Sequence, residues 1–456
     1  MKKVLFITSL VTIFIFLLNL KNIYKMLPIE KKVVVKNFVL EKYENLSDRS
    51  KILIRALNLE PFKQLQIRYK RLNPNINNLN NDYNVKFLPL SQTDKFDLST
   101  YKINFKKEKS IKNDTGYGFF KPFFIEISND NLIIINNDGE ILFLQLDKFF
   151  IKDKKNLKFK SIKTNLRSKG NQNSKIMGTL IHEEKIYISH LNYDGNCQIY
   201  NISHANINFK DLIFKNFFKS ESCGENLNAG RMKILNFNGS DGLLATIGGE
   251  KLNEPSGKPQ DLNSDIGKII FIDFKTKEKK IYSMGHRNPQ GLFVEGDLII
   301  ATEHGPNGGD EINRIVYGKN YGWPIASYGK AYDHVKKNKD KKYLKDHSSN
   351  NFKEPIFSFI PSIGISEIIK ISNKFSTNWH ENFLLASLNG GSLYRIKFNS
   401  TFEKIIYKER IFVNKRIRDL KYSDKYNAVI LALEDWKEIG ILNQIIKDWL
   451  YLPYLF

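Results

Sequence analysis

Residues 123–146 read FFIEI-SNDN-LIIIN-NDGE-ILFLQL, three short apolar runs separated by turn sequences. Runs of β-branched and aromatic residues are typical of strands, and Asn, Asp and Gly tolerate the positive φ of a tight hairpin. The same alternation of strand and turn recurs to about residue 442, and segments with the length and periodicity of a helix are almost absent. The sequence therefore predicts an all-β fold built from antiparallel hairpins.

The length of this β-rich region distinguishes between β architectures. A single sandwich normally has about 100 residues, whereas radially repeated four-stranded blades fit a much longer chain. We therefore predict a β-propeller over residues 113–445, followed by an apolar C-terminal tail at 446–456. The preceding extension, residues 26–112, is poorly defined by its sequence. A helical stalk and an extra strand that closes the ring are both compatible with it.

The N-terminus begins with Lys2 and Lys3, followed by the uncharged run VLFITSLVTIFIFLLNL at residues 4–20. This run is about the minimum length for a membrane-spanning helix, and no small-residue cleavage pattern follows it. We predict a signal anchor over residues 1–25, which would place the rest of the chain in the periplasm, anchored to the inner membrane. A cleaved signal peptide is the alternative.

The two cysteines, Cys197 and Cys223, exclude a disulfide-dense scaffold and a cysteine-rich zinc site. If the chain is exported, an oxidising compartment would permit a bridge between them. The sequence leaves both interpretations open, a disulfide and two unpaired side chains.

The chain is strongly basic, since 71 Lys and Arg against 48 Asp and Glu give a net charge of +23. The lysines are scattered, and the densest runs, at 152–169 and 336–345, carry no zinc pattern and no RNA-binding signature. We interpret these runs as solvated loops and expect no nucleic-acid partner. An anionic cofactor, polymer or membrane surface would still benefit from the positive field.

One part of the chain has more special residues than packing requires. It consists of three segments in order: GHRNPQGL (285–292), TEHGPNGGDEIN (302–313) and GKNYGWP (318–324). Arg287 and Asn288 lie in a turn before a strand, where a planar guanidinium suits recognition of carboxylate or phosphate. Gly305 and Pro306 follow the next strand, where backbone carbonyls are suitable calcium ligands, and Asp310 and Glu311 would add carboxylates.

This ordered series resembles the soluble aldose sugar dehydrogenases, also called the glucose/sorbosone dehydrogenase family. The similarity extends from about Lys121 to Leu442. The resemblance implies a six-bladed β-propeller that binds pyrroloquinoline quinone (PQQ) and calcium. It also implies oxidation of the anomeric hydroxyl of a sugar to a lactone, outside the cytoplasmic membrane. The electron acceptor and the particular sugar are not specified by these motifs.

The resemblance also assigns site residues. PQQ carries three carboxylates, so basic side chains must neutralise it. The resemblance places five residues around the cofactor: Arg287, Asn288, Asn389, Arg416 and Arg418. Asn389 stands where the family usually has a lysine. The carbonyls of Gly305 and Pro306 would hold the calcium ion on the quinone, and Glu311 and the carbonyl of Tyr321 would hold a second, structural calcium.

The sequence departs from the family at the catalytic base. In the family, a histidine removes the proton of the sugar hydroxyl and stands four residues before an arginine that matches Arg231. The residue at that position here is Leu227, which cannot accept a proton. A missing general base costs about 10²- to 10⁴-fold in rate. Glu225 is a possible substitute if its segment is extended, because residues two apart share a face of a strand.

These observations support two hypotheses of different class. The first is an exported, PQQ-dependent aldose sugar dehydrogenase, supported by the two arginine segments and the Gly305–Pro306 turn. The second is a propeller without redox activity that binds a sugar, a polymer or a protein, supported by Leu227 and Asn389. A glycoside hydrolase has little support, because no pair of acidic residues stands out by its context.

Overall fold

The computed structural model describes residues 86–87, 96–105, 122–151, 157–166, 175–195, 197–249, 257–332, 342–434 and 437–444. These residues form six antiparallel β-sheets, the blades of a propeller. The predicted all-β fold and six-bladed propeller are therefore confirmed. The predicted anchor at 1–25 and the apolar tail at 446–456 lie outside the described residues.

Most strands follow one another within a blade. Two strands precede the first blade: β1 (Lys86–Phe87) and β2 (Phe96–Lys102). Blade 1 contains β3 (Phe123–Ser128), β4 (Asn131–Asn136), β5 (Ile141–Gln145) and β6 (Lys160–Thr164). Blade 2 contains β7 (Lys175–His182), β8 (Lys185–Asp194), β9 (Cys197–Asn206) and, after the short β10 (Asp211–Leu212), β11 (Lys215–Gly224). Strand β10 pairs in parallel with β6 of blade 1.

The second half of the chain repeats this arrangement four times. Blade 3 contains β12 (Leu227–Phe237), β13 (Ser240–Gly249), β14 (Lys268–Asp273) and β15 (Lys279–Met284). Blade 4 contains β16 (Pro289–Glu295), β17 (Leu298–Glu303), β18 (Asp310–Arg314) and β19 (Phe357–Phe359). Blade 5 contains β20 (Ile365–Lys370), β21 (Asn382–Ser387), β22 (Ser392–Phe398) and β23 (Ile405–Phe412). Blade 6 contains β24 (Ile417–Ser423), β25 (Ala428–Leu433) and β26 (Glu438–Gln444).

Helical structure among the described residues is limited to single 3₁₀ turns. These turns are Leu146–Phe149, Lys258–Gln260, Ser348–Asn350 and Thr377–Trp379. Within the described ranges, no helix combines the length and apolarity needed to cross a membrane.

The ring closes through a strand from the N-terminal side of the propeller. Strand β2 pairs antiparallel with β26 and is the outer strand of blade 6, while β1 pairs in parallel with β23 of blade 5. Part of the extension predicted at 26–112 therefore belongs to the propeller, as the strand-closure interpretation expected. Because β2 and β26 come from opposite ends of the described chain, the ring is completed by long-range pairing.

Each blade buries both of its faces against its neighbours. Successive residues of a strand point to opposite faces. Ile133 accordingly packs between blades 1 and 2, while Ile134 packs between blades 6 and 1. Leu243 and Leu244 divide in the same way between the two faces of blade 3. This explains why the inner strands are continuous apolar runs instead of alternating polar and apolar residues.

The first strand of each blade lines the central axis, and neighbouring first strands pack on one another around the ring. Five of these innermost strands, β7, β12, β16, β20 and β24, carry a register shift near their start. A β-bulge breaks the strict alternation of side chains and re-aims them locally. The starts of the innermost strands are therefore suited to present side chains to the axis.

The two cysteines form a disulfide, with their Cα atoms 5.6 Å apart. Cys197 begins β9 and Cys223 lies near the end of β11, which is its partner strand in blade 2. The bridge therefore links two adjacent strands, and the sequence alternative of two unpaired side chains is wrong.

Candidate functional site

The starts of β16 and β24 bring the two arginine segments together at one end of the axis. Arg418 Nη1 donates to Gln290 Oε1 at 2.9 Å, and Gln290 Nε2 donates to Asn288 Oδ1 at 2.6 Å. Asn288 Nδ2 lies 3.4 Å from His304 Nδ1, and Arg287 Nη1 donates to the His304 carbonyl at 3.0 Å. We call this end of the axis the mouth, and it comprises Arg287, Asn288, Gln290, His304, Arg416, Arg418 and Glu434.

A single buried carboxylate holds the second arginine pair. Glu434, at the end of β25, accepts one hydrogen bond of 2.7 Å from Arg416 Nε and another of 2.7 Å from Arg418 Nε. Burial by itself would raise the pKa of Glu434, but Arg418 and Arg416 outweigh it and hold that pKa below its ordinary value. The two guanidinium groups are thus fixed in orientation while part of each stays exposed to solvent.

His304 is held in one tautomer by its neighbours. Its Nε2 contacts the carbonyl oxygen of Ile365, which can only accept, so this nitrogen carries the proton. The other ring nitrogen then faces the Asn288 amide. Burial lowers the pKa of His304, and Arg418 and Arg287 lower it further, against the opposite effect of Asp310. The ring is therefore a neutral, oriented part of the mouth.

Asp310 organises the loop that was expected to bind calcium. Its Oδ2 accepts backbone N–H bonds from Ile363, Gly364 and Ile365 at 2.6 to 3.1 Å, and its Oδ1 accepts from Gly305 N at 3.1 Å. These four bonds occupy both oxygens. The side chain thus joins the Gly305 turn to the start of β20, and the expectation that it also adds a carboxylate to a metal stays a prediction.

A cleft adjoins the mouth and contains most of the predicted cation ligands. Its lining includes Arg287 and His304 of the mouth together with Glu303, Gly305, Glu311, Tyr321 and Trp323. The Glu303 carboxylate contacts the backbone N–H groups of Arg287 and Asn288, and it bonds His286 Nδ1 at 3.0 Å. Glu303 thereby shapes the arginine turn from below.

The cleft is suited chemically to a hard cation. Burial, followed by repulsion from Glu303, raises the pKa of Glu311 well above its usual range. A cation beside Glu311 would relieve that repulsion, and carboxylate and carbonyl oxygens are the ligands that calcium prefers. No group of three or more His, Cys, Asp or Glu side chains in the described ranges is arranged to hold a metal. A bound cation would therefore depend on backbone oxygens as well.

The mouth is suited chemically to an anion. The guanidinium of Arg287 lies 5.3 Å from the Trp323 ring, and the buried Nε1 of Trp323 has no hydrogen-bond partner among the described residues. A guanidinium has five N–H donors, and the contacts described above use only some of those on Arg287 and Arg418. A planar anion with several carboxylates, such as the cofactor implied by the resemblance, would meet these donors.

The position of the missing catalytic histidine is part of the core. Leu227 begins β12, is 1% exposed and packs among apolar side chains between blades 2 and 3. Glu225 does not take its place as a neighbour on a strand, because residues 225 and 226 form a bend and Asn226 has φ 53°. The Glu225 side chain is exposed. The condition on which Glu225 was considered, an extended segment, is therefore not met.

Asn389 and Pro306 lie at the periphery of the site. Asn389 is in the turn between β21 and β22, and its backbone lies beside Gly364, where an added Cβ would be 3.0 Å from the Asn389 nitrogen. It is therefore at the same end of the propeller as the mouth. Pro306 is buried and its ring packs on Gly329.

Below the mouth, the axis is filled by a second set of charges, which we call the axial network. It comprises Glu126, Arg231, Lys233, Glu367, Asp419 and Lys421. Arg231 Nη1 lies 3.0 Å from Asp419 Oδ1 and 3.2 Å from Glu367 Oε2, and all three side chains are almost completely buried. Arg231 also donates to the carbonyls of Gln290 and Arg418, at 2.7 and 2.8 Å. The network thus fixes the backbone of both arginine segments.

Three residues of the site were missed by the sequence analysis. Gln290 lay inside the GHRNPQGL segment, which was a usable signal for a site residue. Glu303 was also within a quoted segment, but its role depends on the fold of the Arg287 turn. Glu434 follows an apolar strand, and its two arginine partners are 16 and 18 residues away. No pattern in the sequence connects them.

The comparison with known proteins agrees with the geometry of the site. The model of the family described as "Glucose / Sorbosone dehydrogenase" matches residues 128–442. The aldose sugar dehydrogenase YliI of Escherichia coli is 28% identical over 222 residues, covering 45% of this chain and 57% of that protein. Quinoprotein glucose dehydrogenase B of Acinetobacter calcoaceticus is 31% identical over 244 residues, covering 40% and 50%. The chain thus spans about half the length of these curated relatives.

Solved structures support the fold. The soluble aldose sugar dehydrogenase of Escherichia coli in its apo form has a TM-score of 0.59 at 19% identity, covering 76% of this chain and 100% of that one. The PQQ-bound aldose sugar dehydrogenase of Streptomyces coelicolor has a TM-score of 0.54 at 17% identity, covering 77% and 99%. With the family match over most of the propeller, the chain belongs to the glucose/sorbosone dehydrogenase family.

Proposed function

We propose that this protein is an exported sugar dehydrogenase that binds PQQ at the mouth and calcium in the adjoining cleft, and that oxidises the anomeric hydroxyl of an aldose to a lactone. The observation that carries the proposal is the set of contacts from Arg418 through Gln290 and Asn288 to His304. It joins side chains that are 128 residues apart in sequence into one cationic surface. The names of the relatives support the same cofactor and substrate class.

The proposed roles follow the geometry. Arg287, Arg416 and Arg418 would neutralise the carboxylates of the cofactor. The carbonyls of Gly305 and Pro306 would hold calcium on the quinone, and Glu311 with the Tyr321 carbonyl would hold a second cation. The bound quinone would supply hydride acceptance, and calcium would act as a Lewis acid on it. His304 would stay neutral and keep Asn288 and Arg287 in position.

Export is supported by the disulfide between Cys197 and Cys223. Disulfides persist in oxidising compartments and are rare in the cytosol. Together with the apolar run at residues 4–20, this favours a periplasmic location with an anchor in the inner membrane. Protease treatment of spheroplasts carrying the full chain tests it: the propeller should be digested from outside. Protection until the membrane is lysed would contradict the location.

A second candidate function is favoured by Leu227. Because this residue is part of the packed interface between two blades, the family base is absent from the site. A propeller with an intact anion site and no proton acceptor would bind a sugar, a polymer or a protein without turning it over. Under this alternative the mouth has the same geometry, but the protein does not catalyse the oxidation.

One experiment separates the two functions. The purified full chain is titrated with PQQ at several calcium concentrations, and dye reduction is then followed with a series of aldoses. Dye reduction that Arg287→Ala and Arg418→Ala abolish supports the dehydrogenase. Arg314→Ala serves as the control, since the Arg314 guanidinium donates to the exposed Thr401 carbonyl at 2.7 Å. Saturable binding of PQQ without dye reduction supports the second function. If PQQ does not bind at any calcium concentration, the proposed roles of PQQ and of calcium are both wrong.

A further inference from the structure

A lysine from a blade that supplies no other residue to the mouth lies beside it. Lys175 is the first residue of β7, the innermost strand of blade 2, and its backbone pairs with Leu191. Its side chain is half-buried. Among the described residues, the charged neighbour that acts on it is Arg418, a cation, and no described carboxylate offsets the charge of Lys175.

The height of Lys175 along the axis can be judged from strands that touch. A Cβ added to Gly178 of β7 would lie 2.1 Å from the Gly230 carbonyl oxygen of β12, so these two residues are at the same level. Three residues nearer the start of each strand are Lys175 and Leu227. Both residues begin their strands, and the starts of the innermost strands are at the mouth end of the axis. Lys175 is therefore at the same end of the axis as Leu227, the position where the resemblance places the family histidine.

The charges around Lys175 are balanced differently from those of the axial network. Within the axial network, Thr179 of the same strand β7 bonds Glu126 at 2.9 Å, and Lys421 bonds Glu126 at 2.9 Å. At the mouth, the described carboxylate that pairs with both Arg416 and Arg418 is Glu434. Bringing Lys175 to Arg418 without a further acid costs free energy, because like charges in a partly desolvated place repel. Burial and this repulsion both lower the pKa of Lys175.

Such an arrangement is relieved by an anion. A carboxylate placed between the ammonium of Lys175 and the guanidinium of Arg418 would convert one repulsion into two attractions. We propose that Lys175 is an anion-contacting residue of the mouth and binds a carboxylate group of the quinone cofactor together with Arg418. This inference rests on the proposed function, and it adds a ligand from blade 2 to those from blades 4 and 6.

The test is a PQQ titration of the purified full chain at fixed calcium, comparing Lys175→Ala, Lys175→Arg and the control Lys275→Ala. Lys275 is an exposed lysine in the turn after β14, so the control makes the same change of net charge away from the mouth. A charge-assisted hydrogen bond to an ion is worth enough to weaken binding about ten- to hundredfold when it is removed. We expect that loss for Lys175→Ala, smaller loss for Lys175→Arg and unchanged affinity for Lys275→Ala.

A second measurement does not depend on any variant. The pH dependence of amine labelling at Lys175, read by mass spectrometry, should shift to higher pH when PQQ is added, because a bound carboxylate raises the pKa of the ammonium. Equal PQQ affinity of wild type and Lys175→Ala, or labelling that PQQ does not change, would overturn the inference while leaving PQQ binding intact. Failure of the wild type to bind PQQ would instead overturn the proposed function, and the inference with it.

Discussion

The axial network and the mouth are two clusters of charge on the same innermost strands, one above the other, yet they are built on opposite rules. In the axial network, three cations (Arg231, Lys233, Lys421) face three carboxylates (Glu126, Glu367, Asp419), and the two ion pairs of Arg231 are almost completely buried. At the mouth, the cations outnumber the carboxylate that contacts them within the described part of the chain, and the arginine side chains reach solvent. A set of charges that is neutral in itself stabilises the fold, whereas an unbalanced set of cations is suited to binding an anionic ligand.

The largest effect should come from breaking the axial network. Arg231→Leu leaves Glu367 and Asp419 as buried, unpaired carboxylates, and removal of one partner of a buried ion pair costs about 3–5 kcal/mol. We expect this loss in the free energy of unfolding, measured with urea. Arg314→Leu, at the exposed end of β18, should cost less than about 1 kcal/mol. Equal losses in the free energy of unfolding of the two variants would mean that the axial network contributes no more to stability than a surface contact does.

A smaller effect is expected when the mouth loses its carboxylate. Glu434→Gln keeps the shape of the side chain but removes the charge that Arg416 and Arg418 share. We expect a loss of about 2 kcal/mol in the free energy of unfolding, because hydrogen bonds to charged groups are worth about 1.5–3 kcal/mol and the guanidiniums can be partly hydrated. Glu403→Gln, in an exposed turn, is the matched control. A loss as large as that of Arg231→Leu would show that the mouth is also part of the structural core.

Restoring the family residue should lower stability before it alters chemistry. Leu227→His places a polar ring among apolar side chains between blades 2 and 3, and burying an uncompensated polar group costs about 1–3 kcal/mol in proteins. Leu262→His, at a residue that is 66% exposed, should be nearly neutral. The readouts are urea unfolding and dye reduction with PQQ and an aldose. Unchanged stability of Leu227→His would mean that position 227 faces the site and not the core.

The finest comparison is between two lysines. Asp419 and Glu126 act on Lys421 and raise its pKa despite its burial, whereas burial and Arg418 lower the pKa of Lys175. Lys421 therefore contributes stability below its unfolded pKa of about 10.5, which is lost as pH rises through its folded pKa. For Lys175 the sign is reversed, since its penalty disappears as pH rises from its folded pKa towards that unfolded value. Amine labelling of the PQQ-free protein should modify Lys175 at lower pH than Lys421, and the opposite order would contradict this assignment.

Local patterns were sufficient for the fold class and for half of the site. The turns at 137–140 and 389–391 were predicted because a hairpin needs particular residues at adjacent positions, and both connect paired strands. The segment around Arg287 was predicted because its special residues are contiguous. The closing strand β2 was left open between two alternatives, since nothing near residue 96 indicates a partner near residue 444.

By itself, the sequence determined the strands, the turns, the arginine segments and the leucine at the position where the resemblance expects a histidine, because each is a property of neighbouring residues. Only the tertiary structure decided that Asp310 joins the Gly305 turn to the start of β20, and that Glu434 holds the arginine pair. It also decided that Leu227 belongs to the core and that Lys175 lies close enough to Arg418 for their charges to repel. These roles depend on which charges and apolar groups the closed ring brings within a few ångströms, and Coulomb and packing energies depend on that distance and not on separation along the chain.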